Sequence, residues 1–227
     1  EELYAQLKQI QDIERMIGRI NYGNASPKDL LSLRFSLEKI PKIQQLKPSS
    51  ELLTELTNLP NLQHITELLQ KSIHEEASIT IRDGNIIKPT YNEELLQLTE
   101  LKSNAKRFIQ ELEEREKTKT GIPLKIGYNR VFGYYIEITK KHSSQAPQSY
   151  IRKQTTANAE RYITEELKVE EEKILTANEK TKELEFNLFQ KILQQLTEVT
   201  PEIQQTATHI ASLDVLTSFA KTSSEHN

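Results

Sequence analysis

Cysteine and tryptophan are both absent from this chain of 227 residues, and methionine occurs once. Without cysteine there is no disulfide and no thiolate metal site, and a reducing compartment is expected. Glycine and phenylalanine are scarce too, with six of each. So few large core builders, set against 28% charged residues, suit helices with much solvated surface better than a compact globule. No apolar run approaches the roughly 18 residues of a membrane span, and no signal-peptide pattern opens the chain. The histidines His64, His74, His142, His209 and His226 include no pair at ligand spacing, so no metal site is expected. Catalytic constellations such as the nucleophile elbow are missing as well. The acidic runs Glu165-Glu166 and Glu170-Glu171-Glu172 read as the solvated face of a polar helix, so no catalytic residue is assigned and no enzyme is expected. A chain that opens at Glu1 instead of Met is expected to be a piece of something longer.

Helical periodicity fills most of what is present. Leu3, Leu7, Ile10, Ile13, Ile17 and Ile20 form one stripe ending at Asn21-Tyr22-Gly23. Ser26-Pro27 marks an N-cap and a first helical position, and the helix carrying Leu30, Leu33, Leu37 and Ile40 stops at Pro41. Two shorter helices follow, with Leu52, Leu53 and Leu56, then Leu62, Ile65, Leu69 and Ile73. Residues 79–87 read as a β-hairpin, because Asp83-Gly84 suits a type I′ turn. A long helix over 92–119 has the heptad stripe Leu98, Leu101, Ala105, Phe108, Leu112, with Glu111/Arg115 and Glu113/Lys117 four apart, and ends at Gly121 and Pro123. A second long helix starts after the capping Thr164 and runs to about Val199. The two are poor in apolar residues where they would lie together, which predicts a thin arm of antiparallel helices, each about 40–50 Å long at ~1.5 Å per residue. A last helix, with Ile203, Ala207, Ile210, Leu213, Leu216 and Phe219, packs in the base. The expected fold is mainly α: an elongated helical bundle with two long antiparallel helices and a small antiparallel β insert at the tip.

Between the long helices the pattern changes. Leu124 to Thr139 and Tyr150 to Tyr162 alternate apolar and polar residues and are rich in Tyr. From Leu124 to Tyr162, Lys125, Arg130, Lys140, Lys141, Arg152, Lys153 and Arg161 oppose only Glu137 and Glu160, a surplus of five. The whole chain carries −3, so a basic module sits on an acidic scaffold. Two or three strands are expected: 125–128, 134–139 and 150–154, with turns at 129–133 and 155–158. If the first strand leaves the helices, the second returns and the third leaves again, both turns lie at the far end and the loop 141–149 at the near end. Asn129, Arg130, Thr156 and Asn158 then share one surface, with Arg152 and Lys153 behind it. Those residue types contact phosphate through charge and hydrogen bonds. Tyr128, Phe132, Tyr134, Tyr135, Tyr150 and Tyr162 serve either as base-stacking platforms or as the core of a small sheet. Gly127 and Gly133 are assigned to hairpin geometry, not to a phosphate cradle.

The string Gly127-Tyr-Asn-Arg-Val-Phe-Gly-Tyr-Tyr-Ile-Glu-Ile-Thr139, then Tyr150-Ile-Arg-Lys-Gln-Thr155 and Asn158-Ala-Glu-Arg-Tyr-Ile-Thr-Glu-Glu-Leu-Lys168, resembles the clamp of the MutS family of DNA mismatch-repair proteins. Asp12-Ile-Glu-Arg-Met16, Ser26-Pro-Lys-Asp-Leu30, Arg82-Asp-Gly84, Tyr91-Asn-Glu-Glu-Leu95 and Ala211-Ser-Leu-Asp-Val-Leu216 resemble its core and lever helices. The resemblance implies core and first lever over 1–105, clamp over 106–164, and returning lever and core over 165–227. It implies backbone contact with double-stranded DNA, mismatched or looped in the full-length protein. It also implies a homodimer, a MutL-type repair partner, and a cytoplasmic, nucleoid-associated setting. Full-length members are ATPases using ATP and Mg2+; this chain has no Gly-x-x-x-x-Gly-Lys-[Ser/Thr] motif and no mismatch-reading Phe-x-Glu, so no cofactor is expected in it. Ala157 stands where some relatives have Lys, which removes one possible phosphate contact. The alternative is a helical-arm scaffold or chaperone that grips protein with an aromatic β tip.

Overall fold

The computed structural model describes residues 2–46 and 50–226 and resolves them into two compact units. One comprises the stretch up to Asn92 together with that from Lys182 onward; the other is Glu93–Thr181.

The first unit is helical: α1 (Glu2–Leu7), α2 (Ile13–Asn21), α3 (Pro27–Leu37), α4 (Ile40–Gln44), α5 (Glu51–Thr57) and α6 (Gln63–Ser72), with α9 (Thr200–Glu225) and the end of α8 (Glu165–Glu198). The last helix packs on α1, α2 and α5, and α3 packs on α6. Phe189, Ile17, Leu30, Leu33, Leu69 and Ile203 lie in its core. The single stripe expected from Leu3 to Ile20 is two helices. Asp12 interrupts it, its carboxylate accepting from the Arg15 N–H at 2.9 Å as the N-cap of α2. Ser26 caps α3 as expected, within a reciprocal capping box with Asp29. Pro41 does not stop that helix. It ends earlier, at Leu37, and Pro41 sits in the first turn of α4, where a missing N–H costs nothing.

Residues 79–87 form no hairpin. The segment holds a short 3₁₀ turn, Ile81–Asp83, followed by Gly84 and Asn85 at φ +74° and +58°. The N–H groups that a ladder would have paired go to one carboxylate: Asn85, Ile86 and Ile87 donate to Glu185 at 3.0, 2.9 and 3.1 Å. A bridge between Ile73 and Ile87 is the sheet-like pairing in this region.

Arg34 is buried on α3 and grips Glu75 with both terminal nitrogens, at 2.7 and 2.8 Å. That bidentate pair, joined by Lys88, holds the Glu75 carboxyl at about 2, well under its usual value. A carboxylate depressed on folding contributes stability that is whole above its unfolded pKa, near 4.5, and drains away as pH falls toward 2. Glu75 is half-exposed, so solvent screening keeps the contribution modest. Urea midpoints taken from pH 5 down to pH 2 should therefore fall less steeply in Glu75→Gln than in the native chain, and parallel curves would refute the assignment.

The second unit contains α7 (Glu93–Thr120), four strands and the start of α8. Gly121, at φ +68°, closes α7 by donating its N–H to the Lys117 carbonyl, and the Thr164 hydroxyl caps α8 at the Leu167 N–H, both as expected. Arg115 on α7 meets Glu166 at 2.6 Å, whereas Leu98 and Leu101 line one groove with Thr176 and Lys180. Numbers rise on one helix as they fall on the other, so the two run antiparallel within this unit. The buried face of α7 is Leu95, Ala105, Ile109, Leu112 and Glu116, while Leu101 stays 45% exposed. Ala105 and Leu112 lie in the seam as expected, but Ile109 is buried more deeply than Phe108, which packs only partly against the cluster that the sheet and the helices share.

The sheet has four strands: β1 (Leu124–Asn129), β2 (Gly133–Thr139), β3 (Ile151–Thr155) and β4 (Ala159–Ile163), in the antiparallel order β1-β2-β4-β3. Sequence reading missed β4. Because β4 lies between β2 and β3, those two run in the same direction, and the connection after Thr139 returns the chain to the end of the sheet where β2 began. One face, with Leu124, Ile136, Ile138 and Tyr162, packs on Ile109, Leu112, Leu167 and Ile174 of the long helices. The fold is thus mainly α with a small antiparallel sheet inserted between two long helices.

Candidate nucleic-acid interface

Charge is distributed over this sheet by pairing. Arg161 bonds Glu137 at 2.9 Å and Gln154 at 2.9 Å, and its guanidinium lies 4.3 Å from the centre of the Tyr135 ring. Arg152 sits 3.4 Å from Glu160. Both acids of the module are therefore matched by arginines. Lys125, Arg130, Lys140, Lys141 and Lys153 are exposed and make no ion pair among the described residues.

The aromatic residues divide. Tyr135, Tyr150 and Tyr162 are buried and Tyr134 is half-buried against the core. Tyr128 and Phe132 remain 51% and 38% exposed. Burial, reinforced by Glu160, pushes the Tyr162 hydroxyl up to about 12. Tyr150 is raised by burial and by donating to Glu116 at 2.6 Å. These hydroxyls are structural donors. Tyr135 crosses Gly127 so closely that a Cβ there would come within 2.8 Å of the ring. That approach, along with φ +71° at Gly133, bears out the assignment of both glycines to hairpin geometry.

Register decides where the expected contact residues lie. Asn129 pairs with Gly133 at the start of β2, whereas Thr139 at its other end pairs with Ala159. The Asn129–Gly133 turn and the Thr155–Ala159 turn therefore sit at opposite ends of β2, about 20 Å apart at ~3.3 Å per residue. They do not share a surface. The loop expected at the opposite end from both turns instead starts beside the second of them: the Lys140 N–H donates to the Asn158 carbonyl at 3.0 Å.

At the first end the Asn129 Oδ1 accepts from the N–H groups of Val131 and Phe132, at 2.9 and 2.8 Å. The turn is seated on α8: a Cβ on Gly133 would overlap the Glu171 carboxylate, and Val131, Phe132 and Tyr134 line a cleft with Lys168 and Glu171. Burial raises the Glu171 carboxyl, partly offset by the Tyr134 N–H. Arg130, in the same turn, is exposed. Lys153 lies in a bulge of β3 and lines the same cleft, and Arg152 is in mid-strand.

At the second end Asn158 and Ala157 are exposed and Thr156 is half-buried. The Thr156 hydroxyl donates to the Ala159 carbonyl at 2.9 Å and accepts from the Ala159 N–H at 3.1 Å. Lys140 and Lys141 stand here, exposed. They belonged to the charge surplus, and their loop was expected opposite both turns; the reversal of β3 brings the second turn to their end instead.

On the other side of the sheet from β3, the outward Ile126 N–H donates to Glu113 of α7 at 2.8 Å, and Glu113 also pairs with Lys117 at 2.7 Å. Against partial desolvation, which would raise it, these two donors hold the Glu113 carboxyl below its usual range.

Among the described residues no helix is long and apolar enough to cross a membrane, and no cluster of His, Asp and Glu could hold a metal ion. A family profile described as MutS family domain IV matches residues 90–180. The chain is 49% identical over 230 residues to the DNA mismatch repair protein MutS of Alkaliphilus oremlandii, covering 100% of this chain and 26% of that protein. It is 48% identical over 225 residues to the protein of the same name from Clostridium beijerinckii (97% and 24%) and 42% identical over 229 residues to that of Methanosarcina barkeri (97% and 25%). The chain thus belongs to the MutS family, spans about a quarter of the length of these curated relatives, and carries the family's domain IV within residues 90–180.

Proposed function

We propose that this chain is the lever and clamp portion of a DNA mismatch-repair protein and that its sheet module holds duplex DNA by the backbone, without reading sequence. The observation that carries this is the pairing pattern: both acids of the sheet are taken by arginines, and five exposed cations are left over. A surface of that kind gains affinity by releasing counterions and carries no base code. Contacts are assigned to Arg152, Lys153 and Asn158, with Asn129, Arg130 and Thr156 as further candidates. Residues 106–164 form the clamp in this reading, and α7 and α8 act as levers that couple it to an ATPase lying elsewhere in the longer protein, where ATP and Mg2+ would act. A homodimer closing two clamps over mismatched or looped duplex, a MutL-type partner and a cytoplasmic, nucleoid-associated setting belong to the same proposal.

The test is binding of the chain to a labelled duplex across a salt series, with and without one mismatch. Log K should fall linearly with log salt, by about 0.9 in slope for each phosphate neutralised, and the mismatch should change nothing. Salt-insensitive binding to protein would favour the second reading, a protein-gripping tip. Its supporting observation is Val131, 80% exposed beside Tyr128 on the first turn.

A further inference from the structure

We infer that, of the two turns of the sheet, phosphate binds at the one where Lys140 and Lys141 meet the Thr155–Ala159 turn and not at the Asn129–Gly133 turn, and that Thr156 is a positioning residue there and does not itself touch phosphate. This rests on the DNA reading above and narrows it.

Three observations carry it. The first is register, which separates the two turns by the length of β2 and brings Lys140 onto Asn158 through a backbone hydrogen bond of 3.0 Å. Two exposed lysines and an exposed asparagine thus share one end, and none of the three is held by an ion pair among the described residues. The second is what occupies the other end. The Asn129 side-chain oxygen is taken by the turn's own N–H groups, and Glu171 lies against Gly133. The helix beside that turn opens with five glutamates, Glu165, Glu166, Glu170, Glu171 and Glu172, against two lysines, Lys168 and Lys173, and is net acidic. A phosphate approaching Arg130 meets this acidic run, whose like charge opposes it. The first turn is built to seat the sheet on α8.

The third concerns Thr156. A hydroxyl has one proton to give, and that of Thr156 goes to the Ala159 carbonyl while its lone pair takes the Ala159 N–H. The hydroxyl closes the turn from both sides and so fixes the direction of Asn158. It has no proton left to offer a phosphate oxygen, so its influence on binding passes through Asn158.

The experiment compares the 227-residue chain with Lys140→Ala/Lys141→Ala, Arg130→Ala, Thr156→Val and Thr156→Ser on one labelled duplex across a salt series. Each phosphate that is no longer neutralised makes the slope shallower by about 0.9. The double lysine variant should therefore have a slope shallower by about 1.8, while Arg130→Ala keeps the native slope. Thr156→Val should weaken binding several-fold and Thr156→Ser, which keeps the hydroxyl, should restore it. A changed slope in Arg130→Ala, an unchanged slope in the double variant, or native affinity in Thr156→Val would each overturn the inference. If the native chain binds no duplex even at low salt, it is the DNA reading itself that falls.

Discussion

Replacing Glu185 by alanine lowers the stability of the first unit by about 3–5 kcal/mol, at the upper end of what one side chain does. The carboxylate is 2% exposed and is the acceptor for three successive N–H groups, two of them on Ile86 and Ile87, which are themselves almost fully buried. Losing it leaves donors with neither protein nor water to bond, and each orphan of that kind costs about 1–3 kcal/mol. Gly84 and Asn85 hold positive φ beside it, so the segment cannot settle into an ordinary strand to recover the bonds. Glu185→Gln keeps one acceptor oxygen and should lose clearly less. Urea unfolding followed by circular dichroism measures both; an alanine variant within about 1 kcal/mol of the native chain would mean that the loop re-pairs elsewhere.

Tyr150→Phe is the corresponding change in the second unit, with an expected loss of about 2–3 kcal/mol. The Tyr150 hydroxyl gives its proton to Glu116, only 6% exposed, at 2.6 Å. A hydrogen bond to a charged group is worth more than a neutral one, and phenylalanine would leave the buried carboxylate short of a donor. Lys119, at 3.7 Å, is a weak substitute. Adding Glu116→Gln to the Tyr150→Phe variant removes the stranded charge and should recover part of the loss. If the double variant is as unstable as the two single losses added together, the hydroxyl and carboxylate are not coupled.

How much of this could be read from the chain depends on how far each interaction reaches along it. Ser26 with Asp29, Thr164 with Leu167 and Gly121 with Lys117 span three or four residues, and each was legible as a helix boundary. Asp12 was equally local, but the apolar stripe ran straight through it and hid the cap. The hairpin assigned to 79–87 failed for the opposite reason: the partner of its N–H groups is Glu185, about a hundred positions later, and no local pattern announces it. The basic surplus of the sheet was countable from composition. Its arrangement was not, since it turns on β4, a five-residue strand that follows β3 after a short turn and reads as the run-in to α8. Missing that strand reversed β3 and set the Thr155–Ala159 turn at the far side of the sheet from Lys140 and Lys141.

The two rims of the sheet bear on behaviour at high concentration. An unprotected strand edge presents free N–H and C=O groups on which other chains can polymerise. Here the β1 rim is plugged at Ile126 by the Glu113 carboxylate. The β3 rim is kinked by its bulge and lined with Arg152 and Lys153, so a second copy brought alongside would oppose like charges across a broken ladder. Copies of this module at high concentration can stand side by side without zipping into fibres.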